Sequence, residues 1–493
     1  MAVNILFLIP DFFYIEDYQK YLYYNDIPLG TLQISAFLKK RLNANTNIID
    51  LRIENEKHST LNHKIPDLVE YKKEFIHILE TYNISEYNYI GISCYTSFQY
   101  LFSKYIAEIL KEQFPNKIIF TGGYHPTAIP HDFTYEKSPF DFIIKGEGEG
   151  VLLNLLQRNK NRNIKANKGR SCVLSADKLI DINKLPIPDY SQYLNNYPFK
   201  NRFNFEIYTS RGCPYQCAFC AKNFKFRSFN FDSFKHRFEN LCNIVQEYNP
   251  KNPKIIFADQ LFNKVKIKKE LIEYIEKNEL HEEFIFSCQS RVETAAKNNN
   301  LKRLRKNNFI IGFGFESADY NLLKEMHKTK YPPRYVKNMK KILKIYNENP
   351  GTYCRVNILA GFPGENSVTF DNTINFLQEN IKSNKIQIGP TLFSNYPNVF
   401  VYHHMKQFEK KFGTIFIKEW WKRKMNQLKV SVPNKPSKNY SLNSLIFDYK
   451  EKYFPLLKNF FNYKNIFGLA MWKKYHDDWY NVLLRDTSKK IGK

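Results

Sequence analysis

Short apolar runs alternate with amphipathic stretches along most of the chain. The first, NILFLIP at residues 4–10, is nearly continuous and stops at Asp11, the pattern of a strand buried on both faces of a parallel sheet. A helix is predicted near PLGTLQISAFLKKRL, where Leu32, Ile34, Phe37, Leu38 and Leu42 approximate one helical face. NIIDLR, YIGISCYT, KIIFTGG and DFIIKGE read as further strands, with FQYLFSKYIAEILKEQF as a helix between the second and third of them. Strands and helices of this length in alternation predict an α/β fold. Residues 1–150 form its doubly wound, Rossmann-like parallel sheet, whose ligands bind beyond the carboxyl ends of the strands. Small residues fall at those ends: Ser93, then Thr121, Gly122 and Gly123, then Gly146 to Glu149. Glycine there admits close approach of a ligand or of another backbone, and tight turns alone would also explain it.

Residues 151–200 read as a linker. Asn and Lys repeats are followed by LPIPDY, where Pro186 and Pro188 disfavour a helix. A second series of strand-then-helix units begins at NFEIYTS and continues through KIIFADQLF, FIFSCQSR, FIIGFGFES, YCRVNILAGFPGE and KIQIGPTLF. Six such units over residues 201–400 predict a partial (β/α)6 barrel, with its active site on the carboxyl-terminal face. Residues 401–493 are expected to be mainly helical, with Ile415, Ile417, Trp420, Trp421, Phe460, Phe461, Ile466, Leu469 and Trp472 supplying apolar faces that pack over the barrel mouth.

At 493 residues, 43% hydrophobic and 16% aromatic, the chain has ample core for two or three folded domains. Its early apolar run is far short of the roughly 20 residues of a membrane span, so no transmembrane segment and a cytoplasmic location are expected. The formal net charge is +26, and residues 401–493 hold 20 Lys plus Arg against 7 Asp plus Glu. Either an acidic partner or surface, or a biased composition, accounts for that tail.

Eight cysteines in this length are too few for a secreted disulfide scaffold. Cys94, Cys172, Cys242, Cys288 and Cys354 stand alone and read as small buried hydrophobes. The remaining three lie in RGCPYQCAFC as Cys213, Cys217 and Cys220. A structural zinc site asks for four ligands, commonly in two pairs, and no second pair follows at the expected spacing. Four thiolates complete a [4Fe-4S] cluster, so three leave one iron open to bind something else.

These residues resemble the radical S-adenosylmethionine (SAM) enzymes, and more closely the subgroup with an N-terminal cobalamin-binding domain, over roughly residues 3–400. The resemblance implies Cys213, Cys217 and Cys220 as ligands of a [4Fe-4S] cluster, with Phe219 near the adenine of SAM bound at the open iron. It also implies one-electron cleavage of SAM to a 5′-deoxyadenosyl radical, with the electron coming from a donor such as flavodoxin or ferredoxin. Asp259, Gln289, Arg291, Glu316 and the Gly361–Gly364 stretch, with Pro363, look like the family's strand-end SAM contacts. PLGTLQISAFL, TGGYHPTAIP, DFIIKGEGEG and LPIPDY look like the fused cobalamin domain, which would bind that cofactor across Ser93, Gly122 and Gly123. The D-x-H-x-x-G loop that supplies a histidine to cobalt is missing, and His125 nearby reads as a turn residue.

With both cofactors, the resemblance implies methylation of an unactivated carbon in a small-molecule, lipid or peptide substrate. With a degenerate cobalamin domain it implies dehydration, epimerisation or cyclisation instead. A tRNA-modifying methylthiotransferase would need an N-terminal cysteine trio, and Cys94 and Cys172 are only two. A basic nucleic-acid-binding protein leaves the ordered strand-end motifs unexplained. No catalytic acid or base stands out in the sequence.

Overall fold

The computed structural model describes residues 3–11, 25–58, 68–162, 171–221, 224–262, 267–296, 300–348, 351–416 and 435–448, with positions 451, 452 and 455. The chain divides into two compact units, one running to Asn204 and one beginning at Phe205.

The first unit is built on strands β1 (Asn4–Ile9), β2 (Asn45–Asp50), β3 (Tyr89–Ser93), β4 (Ile118–Gly122), β5 (Phe142–Lys145) and β6 (Cys172–Ser175). All pair in parallel, in the order β2-β1-β3-β4-β5-β6. Its helices include α1 (Leu29–Leu42), α2 (Tyr100–Gln113) and α3 (Gly148–Arg162). The strand order reverses between β1 and β3, which makes this the doubly wound sheet expected, with its switch point there. Ile5, Leu6 and Leu8 are wholly buried, as a strand covered on both faces requires.

The stretch expected as a linker, residues 151–200, belongs to this unit instead. Val151, Leu152, Leu155 and Leu156 recur at helical spacing and are buried on α3, and β6 adds a sixth strand beside β5. Beyond Pro186 and Pro188 the chain turns back over β2 rather than leading away. The backbone N–H of Asp50 donates to the Tyr197 hydroxyl at 2.8 Å, and the Tyr193 hydroxyl donates to Asp50 Oδ2 at 2.7 Å. Gln33 Nε2 donates to the Pro186 carbonyl at 2.9 Å. Buried polar groups need such partners, so these contacts set the unit's limit at Asn204 and not at residue 150.

The second unit opens with β7 (Phe205–Ile207) and a two-stranded antiparallel ribbon, β8 (Ser210–Arg211) with β9 (Arg227–Ser228). It continues with β10 (Lys254–Phe257), β11 (Ile285–Arg291), β12 (Phe309–Glu316), β13 (Cys354–Ala360) and β14 (Ile386–Leu392). Strand β7 and strands β10 to β14 form one parallel sheet whose spatial order follows the chain. That is the winding of a barrel, here partial and of six units.

Side chains alternate between the two faces of these strands. Helices α4 (Phe231–Tyr248), α5 (Pro332–Glu348) and α6 (Ser367–Asn380) cover one face. Phe238 of α4 lies 6.0 Å from the Phe257 ring and 6.1 Å from that of Phe286. Tyr346 and Tyr335 of α5 pack on Phe313 and Phe315, and Phe376 of α6 packs on Phe315 as well. Phe257, Phe286, Phe313, Phe315 and Val356 are therefore buried, and the residues between them occupy the other, inner face.

Helices Phe400–His403, Met405–Phe412 and Leu442–Asp448 represent the C-terminal region. Ile415, expected on a packed apolar face, is exposed instead, and Ile417, Trp420, Trp421, Phe460, Phe461, Ile466, Leu469 and Trp472 lie outside the described residues. Among the described residues no helix is long and apolar enough to cross a membrane.

Candidate active site

The cysteine loop leaves the sheet at the carboxyl end of β7 and is fixed at its stem and its middle. Its stem is the β8–β9 ribbon, with the Phe229 N–H donating to the Thr209 carbonyl at 3.0 Å. Gly212 has φ +80°, and a Cβ there would stand 2.3 Å from the Phe224 carbonyl oxygen. Only glycine lets the two sides of the loop approach so closely. In the middle, Ala218 is fully buried; its N–H donates to the Met326 carbonyl at 2.9 Å, and its carbonyl accepts from Val401 N–H at 3.2 Å. Phe219 is partly buried against the apolar cluster that contains Ala218, Met326, Phe362 and Phe393.

The flanking thiols Cys213, Cys217 and Cys220 are each partly exposed. By contrast Cys94, Cys242, Cys288 and Cys354 are buried, whereas Cys172, also expected to be buried, is partly exposed on the edge strand β6. Burial pushes the Cys94 and Cys242 thiols up to about 12, and those of Cys288 and Cys354 upward as well, which leaves them inert. Among the described residues no three His, Cys, Asp or Glu side chains converge as a single metal ion would require. A cluster that takes each thiolate on a different iron imposes no such convergence.

One polar network joins the loop to the ends of β11 and β12. Arg291 Nη1 donates to Cys217 Sγ at 3.1 Å, and its other nitrogens reach Glu293 and the Lys328 carbonyl. The guanidinium also lies 3.9 Å from the centre of the Tyr215 ring. Burial would lower the Arg291 pKa, but the charges of Cys217 and Glu293 outweigh it and raise the value. Lys328 Nζ in turn donates to Glu316 Oε1 at 2.9 Å, with both side chains buried, and stands 5.5 Å from the Phe219 ring. Glu316 has φ +70°, a conformation that costs a residue other than glycine about 1 kcal/mol or more. The backbone register shifts at this point between Gly314 and Glu316. The structure thus brings Cys217, Phe219, Arg291 and Glu316 together. Lys328, which ties them, carries no motif of its own.

Asp259 and Gln289 stand apart from that network. Asp259 is buried and turned to the loop stem, accepting from Thr209 N–H at 3.1 Å and from the Ser210 hydroxyl. Burial raises its pKa to about 6 against the lowering effect of those donors. Gln289 is exposed on the inner face and accepts from Asn357 Nδ2 at 3.3 Å.

Gly361 and Gly364, at φ +77° and +98°, shape the turn after β13, and Pro363 lies between them. Beneath it is Glu365, fully buried, accepting from the Gly361 N–H. Burial first, then the charges of Asp448 and Asp319, raise its pKa from 4.5 to about 8. The folded protein therefore holds this proton up to about pH 8, and an unfolded chain only to 4.5. Stability should fall as pH rises across that window and level off above it. Glu365→Gln, which stays neutral, should flatten that dependence and leave the protein more stable than wild type above pH 8. Urea midpoints at about pH 5 and about pH 9 check this, and identical pH slopes in the two proteins would contradict it.

In the first unit, Ser93 and Gly122 end adjacent strands in register. Gly123 follows at φ +121°, and a Cβ there would lie 2.4 Å from the Cys94 carbonyl oxygen. The expectation that Gly123 leaves room for a ligand is corrected: the backbone after β3 fills that space. Open space lies instead at Gly146, where a Cβ would meet nothing within 4 Å. Tyr95, 55% exposed, stands at the same carboxyl edge with its ring 5.1 Å from that of Tyr124. An exposed aromatic face and bare backbone fit a large flat cofactor. His125 is buried, with Nδ1 2.6 Å from the Ser97 hydroxyl and Nε2 3.0 Å from Asp132 Oδ2. Both its nitrogens are engaged, so it clamps two loops and offers no nitrogen to a metal.

A model of the radical SAM superfamily matches residues 207–377, and one of the B12 binding domain matches residues 22–156. The chain is 27% identical over 305 residues to an uncharacterized methyltransferase of Pyrococcus horikoshii, a match covering 59% of this chain and 64% of the relative. It is 32% identical over 125 residues to an anaerobic magnesium-protoporphyrin IX monomethyl ester cyclase of Synechocystis, covering 23% and 25% respectively. It is 28% identical over 153 residues to TokK, a cobalamin-dependent radical SAM methyltransferase of Streptomyces tokunonensis, covering 28% and 22%. The matches span less than two thirds of the length of these relatives. The two domains define the cofactors as a [4Fe-4S] cluster with SAM, and cobalamin. With its cysteine loop on a six-stranded partial barrel and a doubly wound sheet before it, the chain joins a B12-binding domain to a radical SAM domain that follows it.

Proposed function

We propose that this protein is a cobalamin-dependent methyltransferase acting on an unactivated carbon of a small-molecule, lipid or peptide substrate. The observation that carries it is the presence in one chain of a B12-binding sheet and a radical SAM barrel, together with relatives named as methyltransferases. Cys213, Cys217 and Cys220 would hold the cluster, with an external one-electron donor, a flavodoxin or ferredoxin, as the protein's redox partner. When bound, the cluster supplies the electron that opens SAM, and cobalamin carries the methyl group that is transferred. Arg291 neutralises and orients the Cys217 thiolate. Phe219, Glu316, Gly361 and Pro363 border the SAM position, Asp259 holds the loop stem, and Gln289 lines the inner face. Ser93 and Gly122 belong to the edge that would receive cobalamin, and His125, with both nitrogens engaged, has none to offer it.

Loading the full chain anaerobically with cobalamin and following its absorbance tests the reading, together with a mass balance of SAM during turnover. Methyl transfer should yield 5′-deoxyadenosine and S-adenosylhomocysteine together. A chain that takes no cobalamin and still forms 5′-deoxyadenosine would replace this reading with the second one, a radical cyclisation or rearrangement, which the relative named as a cyclase favours.

A further inference from the structure

The inner face of the barrel sheet carries two cations, Lys254 and Arg355, that have no counter-ion among the described residues. Ile255 and Phe257 of β10 are buried under the helices, and so are Cys354 and Val356 of β13. Alternation therefore puts Lys254 and Arg355 on the opposite, inner face. Strand register aligns Gln289, Gly312, Arg355 and Gln387 in one row across four strands, with Arg291, Gly314, Asn357 and Gly389 in the next. Glycine separates Gln289 from Arg355 in the first row and alternates with Arg291 and Asn357 in the second. The Gln289 amide fills the place a Cβ of Gly312 would take, and the Arg355 stem crosses Gly389 with its Cγ and Cδ 3.2 and 3.1 Å from the corresponding point.

Among the described residues neither Arg355 nor Lys254 has a side-chain ion pair or hydrogen bond. Glu206, beside Ile256 in register, is paired with neither. Burial lowers the Lys254 pKa, and the charge of Arg355 lowers it further. Arg355 is exposed and Lys254 partly buried, and two like charges on one face repel each other unless something negative joins them. The amides of Gln289, Asn357 and Gln387 lie on the same face, and among the described residues no carboxylate forms an ion pair with either cation.

We propose that Arg355 and Lys254, on the inner face of the partial barrel, bind an anionic group of the substrate, a carboxylate or a phosphate. Arg355 supplies a planar fork that suits either group, and Lys254 a point charge. Both sit in the amino-terminal halves of their strands, whereas Arg291 and Glu316 end theirs. The anion is thus held at the barrel floor and the rest of the substrate extends toward the cysteine loop. This assignment of substrate class rests on the barrel being the reaction chamber of the enzyme proposed above.

The test is thermal unfolding of the full chain, without SAM, in inorganic phosphate, in sodium acetate and in sodium chloride at matched ionic strength. Phosphate or acetate should raise Tm by a few degrees over chloride, and the more effective anion identifies the group. Arg355→Gln and Lys254→Gln should each diminish that rise, and the double variant should abolish it. In chloride the single variants should melt no lower than wild type, since each removes an unpaired charge. No rise with either anion, a rise that survives in the double variant, or a drop of several degrees for Arg355→Gln in chloride would overturn the proposal. Formation of 5′-deoxyadenosine together with S-adenosylhomocysteine by the cobalamin-loaded chain is measured separately. An anion response without both products leaves this site standing and removes the methyl-transfer reading, while both products without an anion response do the reverse.

Discussion

Alanine at Cys213, Cys217 or Cys220 should eliminate cluster assembly and SAM cleavage together. In the proposed cluster each thiolate would hold a different iron, so losing one would leave two protein ligands where three are needed. The surrounding loop survives the change, because its position depends on Gly212, the β8–β9 ribbon and the Ala218 backbone rather than on sulfur. Iron and sulfide content after anaerobic reconstitution, with 5′-deoxyadenosine as the product measured, should fall to background in all three variants. Cys172→Ala, altering a partly exposed thiol of the other unit, should retain about four irons per chain. Zinc in place of iron, or full activity in any of the three variants, would end the cluster assignment.

The largest expected loss of stability falls on a residue without a thiol. Lys328→Met leaves the Glu316 carboxylate buried without its partner, which should cost about 3–5 kcal/mol. Glu316→Gln combined with Lys328→Met removes both charges and should recover much of that loss. Denaturant unfolding of the singles and the double gives the coupling directly. The single Lys328 variant should also bind SAM more weakly, since Lys328 fixes Glu316 and borders Phe219. A loss below about 1 kcal/mol, or a double variant no better than the single, would show that the pair is solvated and contributes little.

The sheet strands were legible because burial on both faces leaves a local signature. Ile5 to Ile9 needs no distant partner to be read as an internal strand. The cysteine loop was legible for a similar reason, since C-x3-C-x2-C is a spacing within one turn of chain. Residues 151–200 misled because the Asn and Lys rich end of α3 masks four buried apolar positions, and because two prolines say where a chain bends but not what it returns to. Lys328 and Glu365 were invisible for a stronger reason. What distinguishes them is burial beside groups distant in sequence or held in a special backbone geometry, and neither position differs in composition from an ordinary surface charge. Gly123 shows the converse: a glycine can be read from sequence, but whether its empty side faces ligand or backbone is decided by the loop after β3.

The clip at Ala218 also has a bearing on assembly order. One of its two hydrogen bonds comes from Val401, far downstream in the chain. A chain emerging N-terminus first therefore presents its three thiols well before the segment that finishes fixing their loop has been made. Such non-local closure is slow, because the intervening strands must first wind past one another. The cysteine loop is thus expected to be among the last parts of the barrel to settle, and until the segment around Val401 has been made its thiols are held by the β8–β9 stem and the Met326 contact alone.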